Sequence, residues 1–320
     1  MSLQQPHGNQ PTRPPPESIK LGRQCKALPS CLTLLVENAM PAKIYRSVAL
    51  SLLAGLAGGC ATNKITGRTQ AMMVSDAQAA QQSAQAYSQL LQEAHQKRTL
   101  DDDAAELARV QSIAKPLVTQ ATVLRPETKN WHWDVHVLKS DEVNAWCMAG
   151  GKIAVYTGLL NKIKPTDDEL AAVMGHEIAH ALLSHQAEKM SRAQMQQAGI
   201  GLGVLAAGMM GYNLGGLASL ADGLATVGLQ LPNSREAESE ADSVGLELSA
   251  RGGFNPEAAV TLWQKMLKEG GSGGPDWLST HPNPQSRIDS MRIKAKQLMP
   301  VYEAVKSGQP IPQLPLGRAS

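Results

Sequence analysis

The sequence predicts a mostly helical α+β domain with a small β-sheet, organised around one central helix. Apolar side chains recur at helical spacing over residues 170–182, which is typical of a helix packed inside a domain. Ahead of it, residues 131–138 alternate large and polar side chains, which indicates a β-strand. The chain is 42% hydrophobic but only 3% aromatic, so we expect a core of Leu, Val, Ala and Met.

The central helix has a clear start. Thr166 followed three residues later by Glu169 forms a capping box, in which each side chain satisfies a free backbone N–H of the first turn. No proline or glycine run interrupts the pattern before about Arg192, so we predict one helix over this whole stretch. Gly175 is its weak point, because glycine lowers helix stability by roughly 1 kcal/mol relative to alanine.

This helix carries the pattern HExxH at His176, Glu177 and His180. Residues four apart lie on the same face of a helix, so the two imidazoles can reach one zinc ion. Glu177 follows the first histidine and is placed to act as the general base on a water molecule. The alternative is an amphipathic core helix that happens to contain two histidines. The motif favours a zinc peptidase site, with one zinc ion per chain.

The segments before this helix predict two helices and a small sheet. Cys147 is expected as a small buried residue beside a strand rather than as a nucleophile. We interpret residues 152–157 as an edge strand that can pair with a substrate, with a core scaffold as the alternative. The predicted order is helix 75–98, helix 101–124, strand 131–138, extended segment 142–148, a turn at Gly150-Gly151 and strand 152–157.

Two histidines leave zinc short of a protein ligand. A third histidine shortly after the second is excluded, because Leu183 and Gln186 occupy the places that such a pattern requires. His185 does not help either, since on a continuous helix it lies on the side opposite His176. The remaining source of a ligand is therefore a carboxylate from another helix.

Such a helix is predicted from Asn233-Ser234 to Gly252-Gly253. Spacing alone does not choose among its acidic residues Glu236, Glu238 and Glu240, and an acidic cluster is more often a solvated helix face. Only Glu238 has an aspartate, Asp242, four residues later, where it could orient the surroundings of a ligand.

The N-terminus differs in character from the rest. Residues 1–39 are rich in Pro, Gln and Ser, so we expect a disordered or non-translated extension, with Met40 as a possible true start. Residues 40–59 have the order of a secretory signal: a positive segment with Lys43 and Arg46, an apolar run over 48–56, and Ala57-Gly-Gly-Cys60. The ending is similar to a bacterial lipobox, which implies a lipidated Cys60. The apolar run is too short for the ~20 residues that a transmembrane helix needs.

The remaining boundaries are set by composition. We expect a tether over 60–74, the catalytic domain over 75–300, and a Pro-rich tail over 301–320. The glycine-rich apolar stretch 199–231 is expected to be a flexible, partly amphipathic region beside the active-site cleft, with a membrane-dipping segment, a mobile lid or a packed helical hairpin as alternatives. Residues 1–59 carry six Lys or Arg and two Asp or Glu, which leaves a net charge of −2 for residues 60–320. Without a basic face, nucleic acid is not an expected partner.

Several motifs together resemble one family of zinc peptidases, which includes the CAAX prenyl proteases, HtpX and the periplasmic proteases BepA and LoiP. The matching motifs are HExxH, the ExxxD pattern of residues 238–242, Asn144-Ala-Trp, Gly150-Gly-Lys-Ile, Thr280-His-Pro and Arg287-Ile. The resemblance implies a zincin-like (gluzincin) metallopeptidase fold. It also implies that Glu238 is the third zinc ligand and that Asp242 supports the site.

The resemblance further implies a role for His281, either regulatory, by covering the zinc, or in stabilising the transition state. Arg287 is implied in charge stabilisation, with binding to a helix end as the alternative.

The lipoprotein members of the family match best. They imply a zinc endopeptidase on the periplasmic side of the outer membrane that degrades misfolded or stalled envelope proteins. The alternative is a latent protease that acts mainly as a chaperone or assembly factor for outer-membrane proteins.

Overall fold

The computed structural model describes residues 60–209, 233–269, 276–281 and 284–312. These ranges lie within one compact unit that begins at Ala57. The expectations for residues 1–59, and those for residues 210–231, lie outside the described ranges. None of the described helices is both long and apolar enough to span a membrane.

Helices dominate the described ranges, with two small sheets, so the predicted mostly helical α+β class is confirmed. The strands are β1 (Cys60–Thr62), β2 (Thr69–Ala71), β3 (Asp134–Leu138), β4 (Ala145–Met148) and β5 (Lys152–Tyr156). The helices are α1 (Asp76–Gln96), α2 (Ala104–Leu124), α3 (Asp167–Leu182), α4 (His185–Met209), α5 (Arg235–Arg251), α6 (Ala258–Glu269), α7 (Asp276–Thr280) and α8 (Pro284–Lys306).

Four helices begin at side-chain caps that lie at or close to the helix starts that the sequence predicts. Ser75, Asp103, Thr166 and Ser234 each accept a hydrogen bond from a backbone N–H of the following turn. Thr166 also completes the predicted capping box with Glu169. These side chains satisfy N–H groups that would otherwise have no partner at a helix start, which fixes where α1, α2, α3 and α5 begin.

Helix α3 ends earlier than predicted, at Leu182 rather than near Arg192. Ser184 adopts a left-handed backbone conformation with φ of 58°, and α4 starts at the next residue, His185. The break is stabilised because the carbonyl oxygens at the end of α3 find partners outside the helix. These partners are Arg125, which donates to the oxygen of Leu182, and Asn63 and Gln70, which both donate to that of Leu183.

The predicted edge strand is at the centre of its sheet. The strand order is β3-β5-β4, with β5 parallel to β3 and antiparallel to β4. Both sides of β5 are therefore occupied, and the interpretation of residues 152–157 as an edge is wrong. Among the described residues, no strand pairs with the outer edge of β4, which lies beside α3 and was predicted only as an extended segment.

Both ends of the predicted domain extend further than expected. Residues 60–71, expected as part of a tether, form a hairpin in which β1 pairs with β2. Buried Asn63 and Gln70 hydrogen-bond each other and the end of α3, so the hairpin belongs to the folded unit. At the other end, α8 continues to Lys306 and so includes the first residues of the expected tail.

Helices α3 and α5 pack closely because each has a glycine at the contact. A Cβ atom added to Gly175 would lie 2.8 Å from the carbonyl oxygen of Gly245. A Cβ atom on Gly245 would lie 2.8 Å from the backbone nitrogen and Cα of His176. Gly175, which weakens α3 when the helix is considered alone, is thus required for the approach of its neighbour.

We predict that Gly245→Ala destabilises the fold by about 1–3 kcal/mol, because the added methyl group overlaps the backbone of α3. Helix propensity alone predicts the opposite sign, a gain of about 1 kcal/mol. Urea unfolding of the two proteins distinguishes these outcomes. A variant as stable as the wild type, or more stable, would show that the helices can separate at no cost.

Candidate metal centre

Helices α3 and α5 bring three predicted ligands together. Nε2 of His176 and Nε2 of His180 are 3.0 Å apart. Glu238 places Oε1 3.3 Å from Nε2 of His180 and Oε2 3.5 Å from Nε2 of His176. All three side chains are buried. With His281 they form a group whose ligand atoms lie within 4.8 Å of one another.

The donor atoms fit one zinc ion. Imidazole nitrogens and a carboxylate oxygen are the ligands that zinc takes in tetrahedral protein sites, and here they converge on one small volume. The alternatives among the acidic residues of α5 are now separated. Glu236 is exposed, and Glu240 faces His185 rather than the cluster. Of the three, only Glu238 joins the two histidines.

The protonation states of His180 and Glu238 suit metal binding. Burial lowers the pKa of His180 well below its usual value, which favours the neutral imidazole that a metal requires. Burial would raise the pKa of Glu238, but the nearby His281, His176 and His180 hold it well below the usual range. Glu238 is therefore a carboxylate at neutral pH. Burial lowers the pKa of His176, but Asp242 and Glu238 outweigh it and raise this pKa to about 9, so a metal ion would have to displace a proton there.

Asp242 and Arg287 contact the side of the ligands that faces away from the centre of the cluster. Oδ1 of Asp242 lies 3.0 Å from Nδ1 of His176, the nitrogen that faces away from the other ligands. Arg287 donates to both oxygens of Asp242, at 2.7 and 2.6 Å, and its Nη1 lies 2.5 Å from Oε2 of Glu238. The guanidinium group thus orients two carboxylates at once, and it packs 4.4 Å from the ring centre of Trp263.

Glu177, the predicted general base, lies beside the cluster and is buried. Its Oε1 accepts a hydrogen bond of 2.8 Å from Nε1 of Trp277, which fixes the direction of the carboxylate. Trp277 is 100 residues away in the chain, and no motif predicted its role. Its position depends on the packing of the short helix α7.

His281 lies inside the predicted ligand set. Its Nδ1 is 2.9 Å from Oε1 of Glu238 and 3.2 Å from Nε2 of His176, and its Nε2 is 3.4 Å from Glu177. The ring stacks on Trp277 with 4.4 Å between centroids. In this arrangement Nδ1 can serve as a fourth ligand.

Two further residues contact the site, although the sequence predicts other positions for both. Asn233, predicted as part of a helix cap, donates to Oε1 of Glu238 at 2.7 Å. His185 was predicted to lie away from the site on a continuous helix. Because α3 ends at Leu182, His185 instead lies with its Nδ1 2.8 Å from Nδ1 of His180.

A cavity of about 400 Å³ opens beside the cluster. Its lining includes Glu177, His180 and His281 on one side and residues 144–147, from the start of β4, on the other. Cys147 is buried, as predicted, and burial raises the pKa of its thiol well above the usual value, so it is not poised as a nucleophile. Burial also lowers the pKa of Lys189, on the same cavity, to about 8.

Comparison with known proteins identifies the family. The profile of "Peptidase family M48" matches residues 104–295, which is more than half of the chain and includes every residue of the cluster. The chain belongs to peptidase family M48. This confirms the resemblance drawn from the motifs and the expected class of zinc metallopeptidase. M48 metallopeptidases use zinc, which agrees with the donor set of the cluster.

Two of the similar proteins are named as mitochondrial, and a third is bacterial. The chain is 36% identical to the mitochondrial metalloendopeptidase OMA1 of Arabidopsis thaliana over 180 residues, covering 55% of this chain and 35% of the relative. It is 30% identical to the mitochondrial OMA1 of Homo sapiens, covering 75% and 46%. It is 32% identical to the Beta-barrel assembly-enhancing protease of Escherichia coli, covering 52% and 35%. The chain thus spans about a third to a half of each of these M48 relatives.

We predict that Arg287→Gln weakens zinc binding by about 10- to 100-fold, because Asp242 and Glu238 lose the group that orients them. Competition with a chromophoric chelator measures the affinity. Arg292→Gln, in the same helix, removes a surface arginine that pairs with Asp289 and is the matched control. Equal zinc affinity in the two variants would mean that Arg287 has no part in orienting the ligands.

Proposed function

We propose that this protein is a zinc-dependent endopeptidase of the bacterial cell envelope that degrades misfolded or stalled envelope and outer-membrane proteins. The observation that carries the catalytic part is Glu177, held by Trp277 beside three converging ligands at the wall of an open cavity. The envelope location is supported by the signal-like residues 40–59 and by the name of the E. coli relative.

The residues divide the chemistry between them. When bound, zinc supplies Lewis acidity, which polarises a peptide carbonyl and brings the pKa of a bound water towards about 7. His176, His180 and Glu238 would hold the ion. Glu177 takes the proton from the attacking water and passes it to the nitrogen of the departing amine. Trp277 keeps this carboxylate aimed into the site through both transfers.

The free edge of β4 offers a place for an extended substrate. The backbone N–H of Tyr156 donates to the backbone oxygen of Asn144. The main-chain N–H and C=O groups of residues 144, 146 and 148 are therefore directed towards β5, and those of the alternate residues are directed away from it. The N–H and C=O of Cys147 are therefore directed to the open edge. An added strand bound through main-chain groups suits substrates of varied sequence, as unfolded polypeptides are.

His281 supports a second feature of the proposal, a latent resting state. Catalytic zinc sites keep one position open for water, whereas sites with four protein ligands are closed. With Nδ1 of His281 among the ligand atoms, the described arrangement corresponds to the closed type. We propose that His281 must leave the cluster before cleavage. A latent state also leaves room for the alternative function, a chaperone or assembly factor that binds unfolded strands and cuts rarely.

The proposed membrane anchor is a lipid on Cys60. Cys60 is exposed at the first position of β1, so a lipid on this residue would not disturb the packed hairpin. A lipidated Cys60 would hold the protein on the periplasmic side of the outer membrane. The partners proposed there are unfolded or misfolded envelope polypeptides.

We predict that the zinc-loaded full chain cleaves casein and that Glu177→Gln lowers the rate by about 10²–10⁴-fold, because the base is lost while the ligands remain. Zinc content is measured in parallel to show that the ion is retained. Glu142→Gln, which alters an exposed carboxylate on the same cavity, is the matched control.

In envelope fractions, Glu177→Gln should retain uncleaved outer-membrane precursors that wild-type protein removes. Equal casein cleavage by wild type and Glu177→Gln would contradict the assignment of the base. Cleavage of casein without any change in envelope proteins would instead contradict the proposed substrates. Chaperone action that survives Glu177→Gln would favour the alternative function.

We predict that His281→Ala raises the initial rate of casein cleavage several-fold, because a ligand position becomes free for water. Cleavage is followed at equal zinc occupancy for both proteins. A fall in the rate, with zinc retained, would contradict the latent state and favour the transition-state role for His281.

A further inference from the structure

We infer that Arg68, in the hairpin at the start of the folded unit, is a positioning residue for the zinc ligand His180. It acts through two intermediate side chains, Glu240 and His185. None of these three residues is a ligand of the cluster, and their connection is visible only in the tertiary structure. This role concerns the metal site of the M48 domain and is independent of the proposed location in the cell envelope.

The connection is continuous and buried. Nδ1 of His180 lies 2.8 Å from Nδ1 of His185, and Nε2 of His185 lies 3.0 Å from Oε2 of Glu240. Nε of Arg68 donates to the same oxygen of Glu240 at 2.7 Å. His185 is 2% exposed and Glu240 is 4% exposed, so water does not compete for these contacts.

Metal binding allows only one direction of hydrogen bonding along this path. Nε2 of His180 points into the cluster, so it must offer its lone pair to the ion and the proton must sit on Nδ1. Nδ1 of His185 then accepts a hydrogen bond from that N–H, and the proton of His185 lies on its Nε2. Glu240 accepts from this Nε2 and from Arg68, as a carboxylate with two donors can. Arg68 thus stabilises the acceptor on which the tautomer of both histidines depends.

Arg68 is itself fixed by a second carboxylate. Its two terminal nitrogens donate to both oxygens of Glu188, at 2.9 and 2.6 Å, and Gln70 donates to Glu188 as well. A forked guanidinium between two carboxylates has a defined orientation, which an ammonium group would not provide. Glu188 holds the hairpin on α4 but does not contact either histidine in any hydrogen bond found among the described residues.

This difference separates a positioning role from a purely structural one. Glu240→Gln removes the carboxylate that faces His185, whereas Glu188→Gln weakens one attachment of Arg68 and leaves its Nε hydrogen bond to Glu240 and the contact of Glu240 with His185 in place. Lys64 lies in the same hairpin and forms an exposed ion pair with Glu127, so Lys64→Gln is the surface control. All variants are made in the full chain, and urea unfolding without metal reports their stability.

Zinc affinity by chelator competition and the visible spectrum of the cobalt-loaded protein are the deciding measurements. We expect Arg68→Gln and Glu240→Gln to weaken zinc binding by about tenfold and to shift the cobalt absorption bands, since groups behind a metal-bound histidine tune affinity and geometry. Glu188→Gln and Lys64→Gln should stay within twofold of wild type and keep its spectrum, even where stability falls.

Wild-type affinity and spectrum in Arg68→Gln and Glu240→Gln would overturn the inference. Equal weakening in Glu188→Gln would also overturn it, because the hairpin would then act through stability alone. If Arg68→Gln does not fold, Glu240→Gln against Glu188→Gln decides the question. Each result is independent of casein cleavage, so a failed activity assay does not affect the outcome.

Discussion

The close contact of α3 and α5 is the constraint on which the rest of the site depends. Gly175 and Gly245 leave no side chain between the two backbones, so the helices approach to a distance that a single methyl group would prevent. Residues one turn apart on α3 then face residues one turn apart on α5. His176 and His180 meet Glu238 and Asp242 for this reason. The glycines cost helix stability locally, and the site requires that cost.

Each histidine of α3 is oriented from behind by a carboxylate that an arginine holds. For His176 the carboxylate is Asp242 and the arginine is Arg287 from α8, near the end of the described chain. For His180 the contact is indirect: it runs through His185 to the carboxylate of Glu240, which Arg68 of the β1–β2 hairpin holds. Segments from both ends of the unit therefore meet at the metal centre. Buried charges of this kind are costly unless they are paired, and here the described ones form paired networks.

In the proposed latent state, the position of His281 reconciles an intact base with a restrained enzyme. Glu177 accepts a hydrogen bond from Trp277, and the three predicted ligands converge beside it. The imidazole of His281, however, lies where an open coordination position is needed. Trp277 contacts both Glu177 and His281, and it lies on the short helix α7, which ends at the residue before His281. Movement of this helix would change the base and the fourth ligand together. A protease that meets many folded proteins benefits from such restraint, because cleavage then depends on an event that opens the site.

The sequence by itself determined the class of fold, the helix starts and the identity of the HExxH residues. Caps, apolar periodicity and motif spacing are local properties, so Thr166, His176, Glu177 and His180 could be assigned without a structure. Spacing alone left the acidic ligand open, and the resemblance to known zinc peptidases implied Glu238. The sequence did not determine where α3 ends or which strand forms the sheet edge. Those features depend on contacts between distant segments, such as Asn63 with the end of α3 and β3 with β5. Only the tertiary structure decided them, because hydrogen-bond partners far apart in sequence leave no spacing to detect.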